Sequence, residues 1–97
     1  MIKHIVFFKL QASEQKHAQM QEIKKQLEAL IPQIPELKSM EVGINANPKE
    51  QWDLSLTAIV ENWQDLETYA NHPAHQSIVK NLIAPIKEDR ACVDYAF

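Results

Sequence analysis

A ferredoxin-like α+β fold, with a four-stranded antiparallel sheet and its helices on one face, is predicted for this chain on three observations. Apolar residues alternate in four separate stretches, recur at three and four in two others, and the order is strand, helix, strand, strand, helix, strand. The second helical stretch is interrupted by His72-Pro73. Ninety-seven residues with 45% apolar and 24% charged side chains suit one soluble domain spanning residues 1–97.

The first stretch, Ile2 to Leu10, sets Ile2, His4, Val6, Phe8 and Leu10 on one face and Lys3, Ile5, Phe7 and Lys9 on the other. Both faces are apolar at mid-strand, so both need cover, and one layer of helices supplies only one. Ser13 is the expected N-cap of a first helix carrying Met20, Ile23, Leu27, Leu30 and Ile31 on its inner stripe and ending at Pro32. Met40, Val42 and Ile44 then alternate in a second strand. A turn at Asn45–Pro48 leads to a third strand, Trp52 to Val60, so that residues 37–60 form an antiparallel hairpin.

Asn62, with Asp65 three residues on, caps a second helix whose inner face is expected to hold Trp63, Leu66, Tyr69 and Ala70. His72 reads as a new N-cap with proline at the first helical position. The helix it starts spaces His75, Ile78, Val79 and Leu82 on the core side and stops at Pro85. A last strand alternates Ala91, Val93, Tyr95 and Phe97 with Cys92, Asp94 and Ala96. The sheet face opposite the helices, bearing Ile5, Phe7 and Ile59, predicts a homodimer formed sheet against sheet.

Composition excludes several classes. A net charge of −3 with interspersed signs offers no basic stripe to nucleic acid. No apolar run approaches the length of a membrane span, and no signal peptide is visible. The single cysteine, Cys92, forms no intrachain disulfide, which suits a cytoplasmic setting. A phosphate-cradling loop is unavailable to a chain with one glycine, Gly43, and no serine lies between glycines as a nucleophile elbow requires.

The chemistry concentrates in Tyr69-Ala-Asn-His-Pro-Ala-His75, which gathers two of four histidines and one of two tyrosines. His75 faces inward by register, where apolar surroundings and the positive end of a helix favour neutral imidazole, a form able to accept a proton. The bland alternative is a core histidine bonded to backbone. Tyr69 either offers its hydroxyl to a bound carbonyl or packs as a core tyrosine with that hydroxyl satisfied at the rim. His4 shares the strand face with Val6 and Phe8 and is either part of the same pocket or a satisfied buried histidine. His72 and His75 lie three apart, yet without an accompanying cysteine or carboxylate in the motif the reading is no metal.

Met1-Ile-Lys-His-Ile-Val-Phe-Phe-Lys9, Ile34-Pro35, Val42-Gly43, Asp65-Leu66, the tyrosine and histidines of the motif, and Val93-Asp-Tyr95 together resemble the stress-responsive A/B barrel (Dabb) family along almost the whole chain. The resemblance implies a dimeric α/β barrel. It also implies that, as in the plant polyketide cyclases of that family, His75 is a base and Tyr69 assists it in an aldol-type reaction needing no metal or cofactor, with His4 matching the first-strand histidine. Those cyclases carry another histidine in the third strand where this chain has Leu54, so the full cyclase constellation is absent. The expected site is therefore an apolar pocket for a small carbonyl or aromatic metabolite, lined by His4, Leu54, Tyr69 and His75. The alternatives are a cyclase-like enzyme, a non-catalytic stress-associated dimer, and a barrel resembling the cofactor-independent monooxygenases.

Overall fold

The computed structural model describes residues 1–97. Strand β1 (Ile2–Leu10) is followed by α1 (Lys16–Glu28), β2 (Ser39–Ile44), β3 (Leu54–Val60), α2 (Trp63–Asn71), α3 (Pro73–Ile78), a π-helical turn (Val79–Ile83) and β4 (Lys87–Ala96). The strands form one antiparallel sheet in the order β2-β3-β1-β4. This is the ferredoxin-like arrangement, with all helices against one face.

Register explains the core. Ile2, Val6, Phe8 and Leu10 of β1, Met40 and Val42 of β2, and Leu54, Leu56, Ala58 and Val60 of β3 all point to the helices and are buried. Met20, Ile23 and Leu27 of α1 complete the layer, as their spacing dictates. β2 is an edge strand, and α1 covers part of its free edge. Glu28 Oε2 accepts from the Val42 N–H at 3.0 Å while Lys24 Nζ donates to the Val42 carbonyl at 2.5 Å. Burial opposes the Glu28 charge, but these two donors prevail and hold its pKa below the usual carboxylate value.

Several elements depart from the sequence expectation. Ser13 caps nothing with its side chain; α1 begins at Lys16 behind a turn in which the Ser13 carbonyl accepts from Lys16. The helix also ends early, at Glu28. The N–H groups of Gln33 and Ile34 both reach the Leu30 carbonyl, so the chain turns there and buries Ile34, leaving Ile31 outside. Trp63 opens α2 and is 55% exposed, because the inward stripe of this short helix starts a turn later and is deepest at Tyr69. β3 starts at Leu54, since Asp53 turns its carboxylate to the Leu10 N–H at 2.7 Å and to Lys16 Nζ at 2.9 Å. β1 shifts register at the same place.

The largest departure follows Ile78. One continuous helix through Leu82 was expected, but the Ala84 N–H bonds the Val79 carbonyl at 2.8 Å, a wider π turn. The extra residue moves the buried position from Leu82 to Ile83. β4 then begins at Lys87, four residues ahead of the expected Ala91, and pairs along the whole of β1.

The outer sheet face is uncovered. Ile5 lies opposite Val93, Phe7 opposite Ala91 and Lys3 opposite Tyr95. Phe7, Val93, Tyr95 and Phe97 are all exposed, Val93 by 62%. The rings of Phe7 and Trp52 meet at 6.0 Å, and Lys3 Nζ sits 5.0 Å above the ring of Phe97. No helix is long and apolar enough to cross a membrane.

Candidate functional site

Tyr69 ends up in the core because α2 starts where it does. The Asn62 side chain accepts from the Asp65 N–H at 2.8 Å, fixing the first turn. Counting from that turn brings Tyr69 beneath the sheet with 1% exposure. Proline at 73 cannot continue α2, and His72 turns extended and caps α3, its Nδ1 accepting from the Ala74 N–H at 3.1 Å. The break swings His75 back against Tyr69, ring centroid to centroid 4.4 Å.

Between these helices and the sheet lies a cavity of about 210 Å³, well enclosed by its walls. Val6, Phe8 and Leu56 supply its apolar floor, Val79 and Ile83 of the π turn one wall, and His4, Tyr69 and His75 its chemistry. Ala70, Gln76, Lys87 and Arg90 complete it. Of the four residues expected to line a pocket, the structure brings three together. Leu54 is not among them: it pairs with Phe8 and Ile44 at the far end of β3 and borders a different hollow beside Phe7 and Trp52, while Leu56 faces the cavity.

His75 is bonded to backbone, as one of its two readings expects. Its Nδ1 lies 2.9 Å from the Ala70 carbonyl, which only accepts, so Nδ1 carries the proton of the neutral ring and Nε2 keeps a lone pair. Burial lowers its pKa, outweighing the Ala70 bond, and the charges of His4, Arg90 and His72 add to the depression. The ring is thus held neutral with its orientation fixed.

Tyr69 is the reverse case. Its hydroxyl is buried and has no hydrogen-bond partner. Burial raises its pKa above the ordinary tyrosine value, so the group stays an O–H donor. A buried hydroxyl left unpaired costs about 1–3 kcal/mol.

His4 completes the group. Its ring meets Tyr69 edge-on at 6.2 Å, and its Nδ1 lies 2.5 Å from Asp94 Oδ1. A carboxylate accepts, so the pair fixes the ring and leaves Nε2 without a protein partner. Cys92 Sγ sits 3.4 Å from the same carboxylate oxygen and 3.5 Å from His4 Nδ1. Burial, the thiol's bond to Asp94 and that carboxylate's charge raise the Cys92 pKa, which keeps it a weak donor rather than a nucleophile. The His4, Cys92 and Asp94 ligand atoms lie within 4.8 Å of one another, close enough to hold a metal ion. Binding there would first require removing a thiol proton that Asp94 helps retain. Sequence reading gave Cys92 no role and passed over Asp94 as a partner, since only the pairing of β4 with β1 sets them opposite Val6 and His4.

The sequence model of the stress responsive A/B barrel domain matches residues 2–97. The chain belongs to that family. A dimeric protein with a ferredoxin-like fold from Bacteroides fragilis is 42% identical, superposes with a TM-score of 0.94, and the match covers 99% of this chain and 95% of that one. A Dabb family protein from Mesorhizobium loti, 22% identical over 99% of this chain and 95% of its own, superposes at 0.77. A hydroxynitrile lyase from Passiflora edulis shares the fold at a TM-score of 0.82 with 19% identity, covering 99% and 92%. No curated protein matches the sequence.

The depressed His75 pKa gives this A/B barrel protein an acid-side stability limb. Histidines of the unfolded chain protonate near pH 6.5, before folded His75 does. The unfolded state therefore binds more protons as pH falls, so the contribution is intact above about pH 6.5 and drains away down through the depressed value. His75→Gln, whose amide can still donate to Ala70, should flatten that limb, read as urea midpoints at about pH 7 and about pH 5. An unchanged pH dependence in the variant would show that His75 protonates equally easily in both states.

Proposed function

We propose that this A/B barrel protein is a homodimer joined through its outer sheet face, each subunit binding a small carbonyl compound in the cavity beneath α2. We further propose that His75 removes the acidic proton next to that carbonyl. The buried, unpaired hydroxyl of Tyr69, a residue that lines the cavity beside a neutral histidine, is the observation that carries the reading. A carbonyl oxygen placed there would supply the partner the hydroxyl lacks.

In this scheme His75 Nε2 takes the proton from the α-carbon, the electron pair of the broken C–H bond forms the C=C bond of the enolate, and the carbonyl π pair moves onto oxygen. Tyr69 O–H donates to that oxygen as charge gathers on it. His4, oriented by Asp94, lines the substrate space, and Leu56 stands where Leu54 was expected. The step draws on no metal or cofactor. Absence of the third-strand histidine argues for simpler enolisation rather than the full cyclase reaction. Structural neighbours that are themselves dimeric, and the apolar outer face, support the homodimer. Cys92, which is in no disulfide, suits a cytoplasmic location.

Labelled protein titrated with millimolar small ketones, oxo acids and their esters should show amide shifts centred on Tyr69, Ala70 and His75. If none of these compounds perturbs that segment, the binding reading fails.

A further inference from the structure

Two cations line the cavity from β4, Lys87 and Arg90. Neither joins any of the protein's ion pairs, which engage His4, Lys16, Lys24 and Lys38 instead. No aspartate or glutamate lines the cavity: Glu88 and Asp89 are neighbours only in sequence, and the Asp89 carboxylate bonds the Arg90 backbone N–H. The carboxylate on the helix-facing side of β4, Asp94, is already occupied by His4 and Cys92. In a chain of net charge −3 this local excess of positive charge is not a by-product of composition.

We infer that the cavity selects a small oxo acid, its carboxylate held at Arg90 and Lys87 and its carbonyl oxygen at Tyr69. The inference rests on the proposed reading that the cavity binds a carbonyl compound. A guanidinium presents a planar fork that matches a carboxylate, and lysine adds a point charge. At about 210 Å³ the space is smaller than the ~300–1,000 Å³ of drug-sized sites, so a short acid fits and a long acyl chain does not. Cationic side chains at this end also suit an enolate, which carries one more negative charge than the acid that enters.

The test pairs each of three oxo acids, pyruvate, acetoacetate and levulinate, with its methyl ester, and measures affinity for the wild-type protein, Arg90→Gln, Lys87→Gln and the double variant. At least one acid should bind about tenfold or more tightly than its ester, a preference that weakens as salt rises. The double variant should lose that preference, its acid affinity falling to that of the ester, and Lys87→Gln alone should lose part of it, which keeps the test open if Arg90→Gln does not fold. Esters that bind as tightly as acids, or a preference that survives both substitutions, overturn the anionic site and leave the carbonyl-binding reading standing. If neither acids nor esters bind, both readings fall.

Discussion

Tyr69→Phe should produce a protein that is more stable than its parent and worse at holding its ligand. The hydroxyl is buried without a partner, so removing it relieves an unmet desolvation cost while the ring keeps its packing against His4 and His75. A gain of about 1 kcal/mol is expected, or roughly 4–8 °C in melting temperature for a domain of this size. Ligand binding should weaken by about tenfold, because the lost donor was worth about 1.4 kcal/mol to the bound carbonyl. Thermal melts with and without ligand read both effects. A less stable Tyr69→Phe would mean that the hydroxyl is satisfied in solution, and the main argument for a carbonyl site would go with it. Opposed changes in stability and binding are what a site held ready for a ligand requires.

Ile5→Asp combined with Val93→Asp should halve the mass of the particle. The two residues are direct cross-strand neighbours at the middle of the uncovered face. In an isolated subunit Val93 is 62% exposed and Ile5 half-buried, so the cost to the monomer is chiefly the repulsion of two facing carboxylates, about 1 kcal/mol or less. Pressed against a second sheet, they would bury four carboxylates about a two-fold axis, more charge than the one Lys3 beside each pair offsets, at several kcal/mol of desolvation per charge. Light scattering should fall from twice to once the subunit mass of 11.2 kDa. A double variant that keeps the doubled mass would place the interface elsewhere, the open edge of β4 being the next surface to examine.

What the chain revealed beforehand follows a physical divide. Local signals carried over directly: the two-faced apolar pattern of β1, the Asn62 and Asp65 cap, and the His72-Pro73 restart are each decided by residues within a turn of one another. Tyr69 and His75 were legible for the same reason, as both lie on one short, punctuated segment. Long-range pairing was not. Nothing near Lys87-Glu-Asp-Arg90 favours a strand, and it is the backbone of β1 that holds those four charged residues extended, bringing Arg90 and Lys87 to the cavity. The same pairing joins Asp94 and Cys92 to His4, ninety and eighty-eight residues away. Leu56, opposite Val6, lines the cavity, whereas Leu54, opposite Phe8, borders the hollow beside Phe7 and Trp52. The π turn left no mark in an otherwise regular helical pattern, yet it buries Ile83 and shapes a cavity wall.

Proton exchange at carbon tests the central claim most directly. Oxo compounds that bind the protein are incubated with it in deuterium oxide, and loss of the α-proton signal is followed by NMR for wild type and His75→Gln. A neutral, buried base beside a buried hydroxyl donor should bring deuterium into the α-position, and removal of that base should slow the exchange by about 10²–10⁴-fold. Binding without exchange, or exchange that proceeds equally fast in His75→Gln, would contradict the account and leave the cavity as a binding site alone.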